Sequence, residues 1–99
     1  MIISLVGLPG CGKSSVARLV ARHYGWGSED TDALIERRIG MPIKRFFAES
    51  GEEAFRDIES EVLEDALKDP GPRVLATGGG IVLRPENRAR LHRQSLCFY

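Results

Sequence analysis

The chain has 99 residues, 42% of them apolar, and its 14 basic side chains are balanced by 14 acidic ones, so it has room for one hydrophobic core and carries no surplus charge. That balance excludes the long-range positive field that gathers nucleic acid or an anionic membrane surface, and any bound anion must be held by local groups. The apolar fraction also excludes the composition of a disordered chain, and a single domain over residues 1–99 is expected.

Ile2 to Val6 is short, rich in branched residues and cut off by Gly7, which reads as a strand buried on both faces of a parallel sheet. It is far too short to cross a bilayer and lacks the features of a signal peptide, so the cytoplasm is the expected location. Cys11 and Cys97 lie at opposite ends without partners at metal-ligand spacing, so neither a structural disulfide nor a zinc site is expected. From Lys13 to about His23, Val16, Ala17, Leu19 and Val20 fall at helical spacing while Arg18 and Arg22 share another face.

Between Gly25 and Thr31 the periodicity stops. It resumes over Ala33 to Arg38 as a short helix that Gly40 can end. Pro42 can open a further helix over Ile43 to Ala48. After Ser50 and Gly51 a long amphipathic pattern runs through Ala54, Phe55, Ile58, Val62, Leu63 and Leu67 to Pro70-Gly71-Pro72. Arg73 to Thr77 reads as a second strand, Glu86 to His92 as a helix, and Leu96 to Tyr99 as the start of a third strand. Strands alternating with helices predict a three-layer α/β/α sandwich on a parallel sheet. About three strands is fewer than such sheets usually have, so the sheet is expected to be incomplete, with an open apolar edge at Leu96 to Tyr99.

Gly7-Leu8-Pro9-Gly10-Cys11-Gly12-Lys13-Ser14 has the spacing of a P-loop and lies between a predicted strand and a predicted helix. Its glycines let backbone N–H groups turn inward around phosphate oxygens. Lys13 supplies an ammonium for the β and γ phosphates and Ser14 a hydroxyl for Mg²⁺, while the helix N-terminus adds its positive dipole end. A tight strand-to-helix turn is the plainer alternative, and the loop alone does not name the acceptor.

Three further segments bear on the acceptor. Asp30-Thr31-Asp32 offers two carboxylates that could serve a metal and a hydroxyl, pointing oppositely if the segment is extended; equally, Asp30 or Thr31 could simply cap the helix near Ala33. Arg56 and Glu59 lie three apart on one helix face, where the glutamate can orient a guanidinium suited to a substrate carboxylate, or form an ordinary surface pair. Gly78-Gly79-Gly80 after a strand exposes N–H groups to an anionic or hydroxylated ligand, or makes a bland turn.

Taken together, Gly7 to Ser14, Asp30-Thr31-Asp32, Phe47, the segment Gly51-Glu-x-x-Phe55-Arg56-x-x-Glu59 and Gly78-Gly79-Gly80 resemble the shikimate kinases in order and approximate spacing, over essentially the whole chain. The resemblance implies the P-loop NTPase fold of the nucleoside-monophosphate-kinase type and ATP-dependent phosphorylation of a shikimate hydroxyl in aromatic amino-acid biosynthesis. It implies that Gly10, Cys11, Gly12, Lys13, Ser14 and Ser15 hold ATP, with Ser14 and, through water, Asp30 on Mg²⁺. Lys13 and Asp32 would be the catalytic pair, Asp32 orienting or deprotonating the attacking hydroxyl. Arg56, buttressed by Glu59, and Gly78, Gly79 and Gly80 would hold the shikimate ring and its carboxylate, and Phe47 and Phe55 would wall the pocket. A monomer is implied for the complete domain, with neither nucleic acid nor membrane as partner.

Shikimate kinases continue past the position of Tyr99 into a lid carrying a phosphate-directed arginine, further strands and an adenine-binding loop. The resemblance is therefore to an N-terminal portion, which puts turnover by these residues alone in question. Arg84, Arg88, Arg90 and Arg93 do not match the lid, and their helix is expected to show a solvated basic face. Two other readings stand beside this one: another small-metabolite kinase of the gluconate kinase type, against which Arg56 and the glycine run argue, and a non-catalytic nucleotide-binding module.

Overall fold

A computed structural model describes residues 1–6, 13–69 and 71–98. Four parallel strands, β1 (Ile2–Val6), β2 (Gly27–Asp30), β3 (Arg73–Thr77) and β4 (Leu96–Phe98), form one sheet in the order β2-β3-β1-β4. The helices are α1 (Lys13–Tyr24), α2 (Thr31–Ile39), α3 (Ile43–Lys68) and α4 (Pro85–Gln94), with a 3₁₀ turn over Gly79–Leu83.

The two-residue alternation of the strands builds the layers. On one face Ile3, Val74 and Ala76 meet Ala17 and Ala21 of α1. On the other Ile2, Val6 and Leu75 pack with Leu63, Ala66 and Leu67 of α3, Ile81 of the 3₁₀ turn and Leu91 of α4. Leu63, Leu75, Ile81 and Leu91 have no exposed surface, and each such side chain contributes about 1.5–3 kcal/mol by leaving water. This is the expected three-layer α/β/α sandwich, built on both faces of a parallel sheet. A third cluster of Ile35, Phe55 and Val62 joins α2 to α3, and Arg38 adds a surface ion pair with Asp65 between the same helices. No helix among the described residues is long and apolar enough to cross a membrane.

Four details differ from the sequence reading. The stretch before Asp30 is a strand, giving four strands and not three. Its residues Gly27, Ser28 and Glu29 have poor strand propensity and alternate no apolar face; they are extended because β3 pairs with them and because Arg73 Nη1 reaches Glu29 Oε1 at 2.7 Å. In α1 the buried face is Ala17 and Ala21, whereas Val16 and Leu19 are exposed: small side chains let the helix approach the sheet closely and turn the larger ones aside. α2 begins at Thr31, two residues ahead of Ala33. Finally, α4 does not show a purely solvated basic face, because Arg84 Nη2 lies 2.8 Å from Asp57 Oδ1 and Arg90 Nη2 lies 3.7 Å from Glu64 Oε2, both on α3.

Other expectations agree with the structure. Gly40 ends α2 in the left-handed conformation, its N–H donating to Glu36 O at 2.9 Å. The two helical patterns on either side of Gly51 run on as α3 but are broken there, since Gly51 has φ 87° and ψ 171°, a region open in practice only to glycine. β4 pairs with β1 alone among the described strands, leaving Leu96 and Phe98 about half exposed.

Candidate active site

The parallel register sets Val6 beside Thr77 and Ala76 beside Asp30, so the carboxyl ends of β1, β3 and β2 lie along one edge. In an open parallel sheet this edge is where ligands bind. β1 ends at this edge, and two of the segments singled out above leave the sheet there: the aspartates at the end of β2 and the glycine run after β3. Gly10, Cys11 and Gly12 lie outside the described residues, as do the side chains of Lys13, Ser14 and Ser15.

The aspartates have different local jobs. Asp30 is extended, at φ −117° and ψ 125°, and its side chain caps α2 by accepting the Asp32 N–H at 2.8 Å. Asp32 is thereby inside the first helical turn, and the two side chains do not alternate along a strand. Thr31 between them has no exposed surface. Asp32 Oδ1 points to the glycine run: a Cβ built on Gly78 would stand 3.2 Å from it.

From the other side α3 brings Arg56 and Glu59. One helical turn sets Arg56 Nη1 3.0 Å from Glu59 Oε1, and Nη2 lies 3.7 Å from Glu52 Oε2. The guanidinium is 18% exposed and the glutamate 2%, so this is not the ordinary surface pair. Burial pushes the Glu59 carboxyl above the usual carboxylate range, with a further upward push from the Asp32 charge. The hydrogen bond and charge of Arg56 pull it the other way, and Arg84 does so more weakly. Arg56 Nε is buried with no hydrogen-bond partner among the described residues. The same guanidinium fills the space beside Gly80: a Cβ there would stand 2.8 Å from Arg56 Cζ, which no real side chain tolerates without movement.

Phe47 and Phe55 stand on opposite sides of the Gly51 break with ring centroids 5.6 Å apart. Phe47 is 38% exposed, whereas Phe55 is 5% exposed and belongs to the α2–α3 core as much as to any pocket. Arg56 Cζ lies 5.2 Å from the Phe55 ring centroid, within cation–π range.

Asp32, Arg56, Glu59, Gly78 and Gly80 thus come together from three parts of the chain. The sequence reading did not single out Asp57 and Ser60, which face Arg84 at 2.8 and 3.5 Å, or Asn87, which is 1% exposed. Only Asn87 carried a signal: it lies four residues before the buried Leu91, on the same helical face.

A strand running into a Gly-x₄-Gly-Lys-Ser segment and a helix, followed by crossovers to further parallel strands, gives this chain the P-loop NTPase fold. Comparison with known proteins narrows the class. The profile of the shikimate kinase family matches residues 9–99, and the chain belongs to that family. A shikimate kinase of Paracidovorax citrulli is 52% identical over 98 residues, covering 98% of this chain and 54% of the relative. One of Thermodesulfovibrio yellowstonii is 46% identical over 97 residues, with 97% and 55% covered. Among solved structures, the shikimate kinase of Acinetobacter baumannii in complex with shikimate superposes with a TM-score of 0.94 at 38% identity, over 97% of this chain and 53% of that one. The chain spans about half the length of the curated relatives it matches.

Proposed function

We propose that this chain supplies the phosphate-loop and acceptor-binding parts of a shikimate kinase, which transfers the γ-phosphoryl group of MgATP to a hydroxyl of shikimate. The observation that carries the reading is the meeting of Arg56 with the glycine run. A guanidinium whose buried Nε has no partner among the described residues, held by a buried carboxylate and lodged where Gly80 has no Cβ, is built to receive a planar anion such as a ring carboxylate.

In this reading Arg56 clamps the shikimate carboxylate and the N–H groups of Gly78, Gly79 and Gly80 close around the ring. Glu59 keeps the guanidinium in place, and Phe47 and Phe55 exclude water from one wall. Asp32, on the other side of the glycine run, orients the acceptor hydroxyl and takes its proton as the phosphoryl group arrives. Catalysis is then chiefly positioning and charge stabilisation. Gly10, Cys11, Gly12, Lys13, Ser14 and Ser15 hold the phosphates of ATP, with Lys13 following the transferring group.

Mg²⁺ fits the donor set. It binds few protein oxygens and keeps several waters, which suits the Ser14 hydroxyl and an Asp30 carboxylate already engaged as a helix cap. The ion would offset the charge of the phosphates. The balanced net charge fits a protein whose partners are small anions and not nucleic acid or membrane; a cytoplasmic location, and a monomer when the domain is whole, are what the shikimate kinase reading brings with it.

The test is calorimetry with shikimate and with MgATP, beside a coupled assay for ADP, on the chain and on its Lys13→Ala and Arg56→Ala variants. Loss of shikimate binding in Arg56→Ala alone, and of MgATP binding in Lys13→Ala alone, is the expected pattern. Shikimate binding indifferent to Arg56 would sink the assignment.

A further inference from the structure

The glycine run cannot order itself, since three residues without side chains have the widest backbone freedom to lose. Its conformation must come from its flanks. Upstream, Thr77 ends β3 in register with Val6, and its hydroxyl donates to Leu5 O at 3.3 Å. Downstream, Ile81 is fully buried in the main core and its N–H donates to Gly78 O at 3.2 Å. The Ile81 carbonyl is taken by the side chain of Asn87, whose Nδ2 donates to it at 3.0 Å.

Asn87 is an odd residue for its place. It lies four positions before Leu91 on the face of α4 turned to the core, where a leucine would bury more apolar surface. Its Oδ1 is buried with no partner among the described residues, a cost to stability that one hydrogen bond roughly offsets and no more. What the carboxamide supplies and leucine cannot is a directional donor to the first carbonyl beyond the glycines. Arg88 works alongside it, donating to Val82 O, so the first turn of α4 grips two successive carbonyls of the 3₁₀ turn, while Arg84 ties the start of the helix to Asp57 of α3.

We propose that Asn87 is a positioning residue of the acceptor site, holding the Ile81 carbonyl so that the glycine run stays in the shape that admits Arg56 on one side and Asp32 on the other. The inference rests on the shikimate reading for the identity of the ligand but not for the clamp itself.

The decisive variant is Asn87→Leu, which keeps the branched shape and the number of heavy atoms, with bulkier methyl groups, and removes the donor. Amide exchange followed by NMR is expected to be about tenfold faster at Ile81, whose N–H donates to Gly78 O, with Val74, Leu75 and Ala76 unchanged, and shikimate affinity about tenfold weaker with MgATP affinity unchanged. Equal acceleration in β3 would mean a merely structural role and would overturn the proposal, as would shikimate affinity within twofold of the unsubstituted chain. The exchange measurement needs no ligand, so a chain that binds no shikimate would sink the functional reading while Ile81 still decides the clamp. Should the leucine variant not fold, Asn87→Asp keeps the shape and regains a donor only when its carboxyl is protonated. Its protection at Ile81 should then be high in acid and lost towards neutral pH, and protection independent of pH would count against the clamp.

Discussion

Arg56 and Glu59 are joined at 3.0 Å across one turn of α3, with the carboxylate almost wholly out of water and the guanidinium lodged against Gly80. A pair so buried contributes little to stability by itself, because desolvating both charges offsets their attraction. Its effect is to hold a planar cation in one orientation at the carboxyl edge of the sheet.

The pH dependence of stability should carry the mark of Glu59. Its carboxyl is raised from 4.5 chiefly by burial, so between that value and the higher folded one the native chain keeps a proton the unfolded chain has released. Stability therefore falls as pH rises through this window. Glu59→Gln should flatten that slope in urea titrations run from pH 4 upward, and should weaken shikimate binding about tenfold by freeing Arg56. An unchanged slope would show that Glu59 is not the group responsible.

Gly80→Ala separates the site from the scaffold. The new Cβ meets the far end of the Arg56 side chain, which can move, but a full swing would leave the buried Glu59 carboxylate unpaired, so stability should fall by about 1–3 kcal/mol at neutral pH. Shikimate affinity should fall by about tenfold or more with the displaced guanidinium. Gly78→Ala, whose Cβ has a looser 3.2 Å contact with Asp32 Oδ1, should do less.

Gly51→Ala should cost about 1–3 kcal/mol in denaturant titrations although nothing crowds the position. The loss comes from a backbone at φ 87° that an L side chain rarely adopts. Relief by straightening α3 would separate the Phe47 and Phe55 rings, now 5.6 Å apart, and the aromatic region of the NMR spectrum would report it.

The two aspartates should part company. Asp30→Ala removes the cap of α2 and should lower stability by about 1 kcal/mol. Asp32→Asn keeps the helix and should alter stability by no more than about 0.5 kcal/mol, while turnover in any assembly competent for phosphoryl transfer should fall at least a hundredfold, roughly the contribution of a general base. Comparable stability losses in both would mean that Asp32 is a structural residue too.

Much of this was legible in the amino-acid order alone. The branched run before Gly7, the glycine spacing up to Lys13, the apolar period after Gly51 and the glycines after Thr77 are local patterns, each written within one element or at its boundary, and together they gave the fold class and the family. The strand Gly27–Asp30 was not legible, because its residues have no pattern of their own and are extended only where β3 and the Arg73–Glu29 ion pair hold them. Nor could spacing say that Asp30 caps while Asp32 faces Gly78, that Glu59 is buried, or that Asn87 grips the Ile81 carbonyl. The cap is a local bond that the amino-acid order offered as one of two readings, and the other facts depend on which surfaces meet when α2, α3 and α4 pack against the sheet. A residue's type and period constrain how much of it is buried, but its neighbours across the fold are set only by the closing of the whole core.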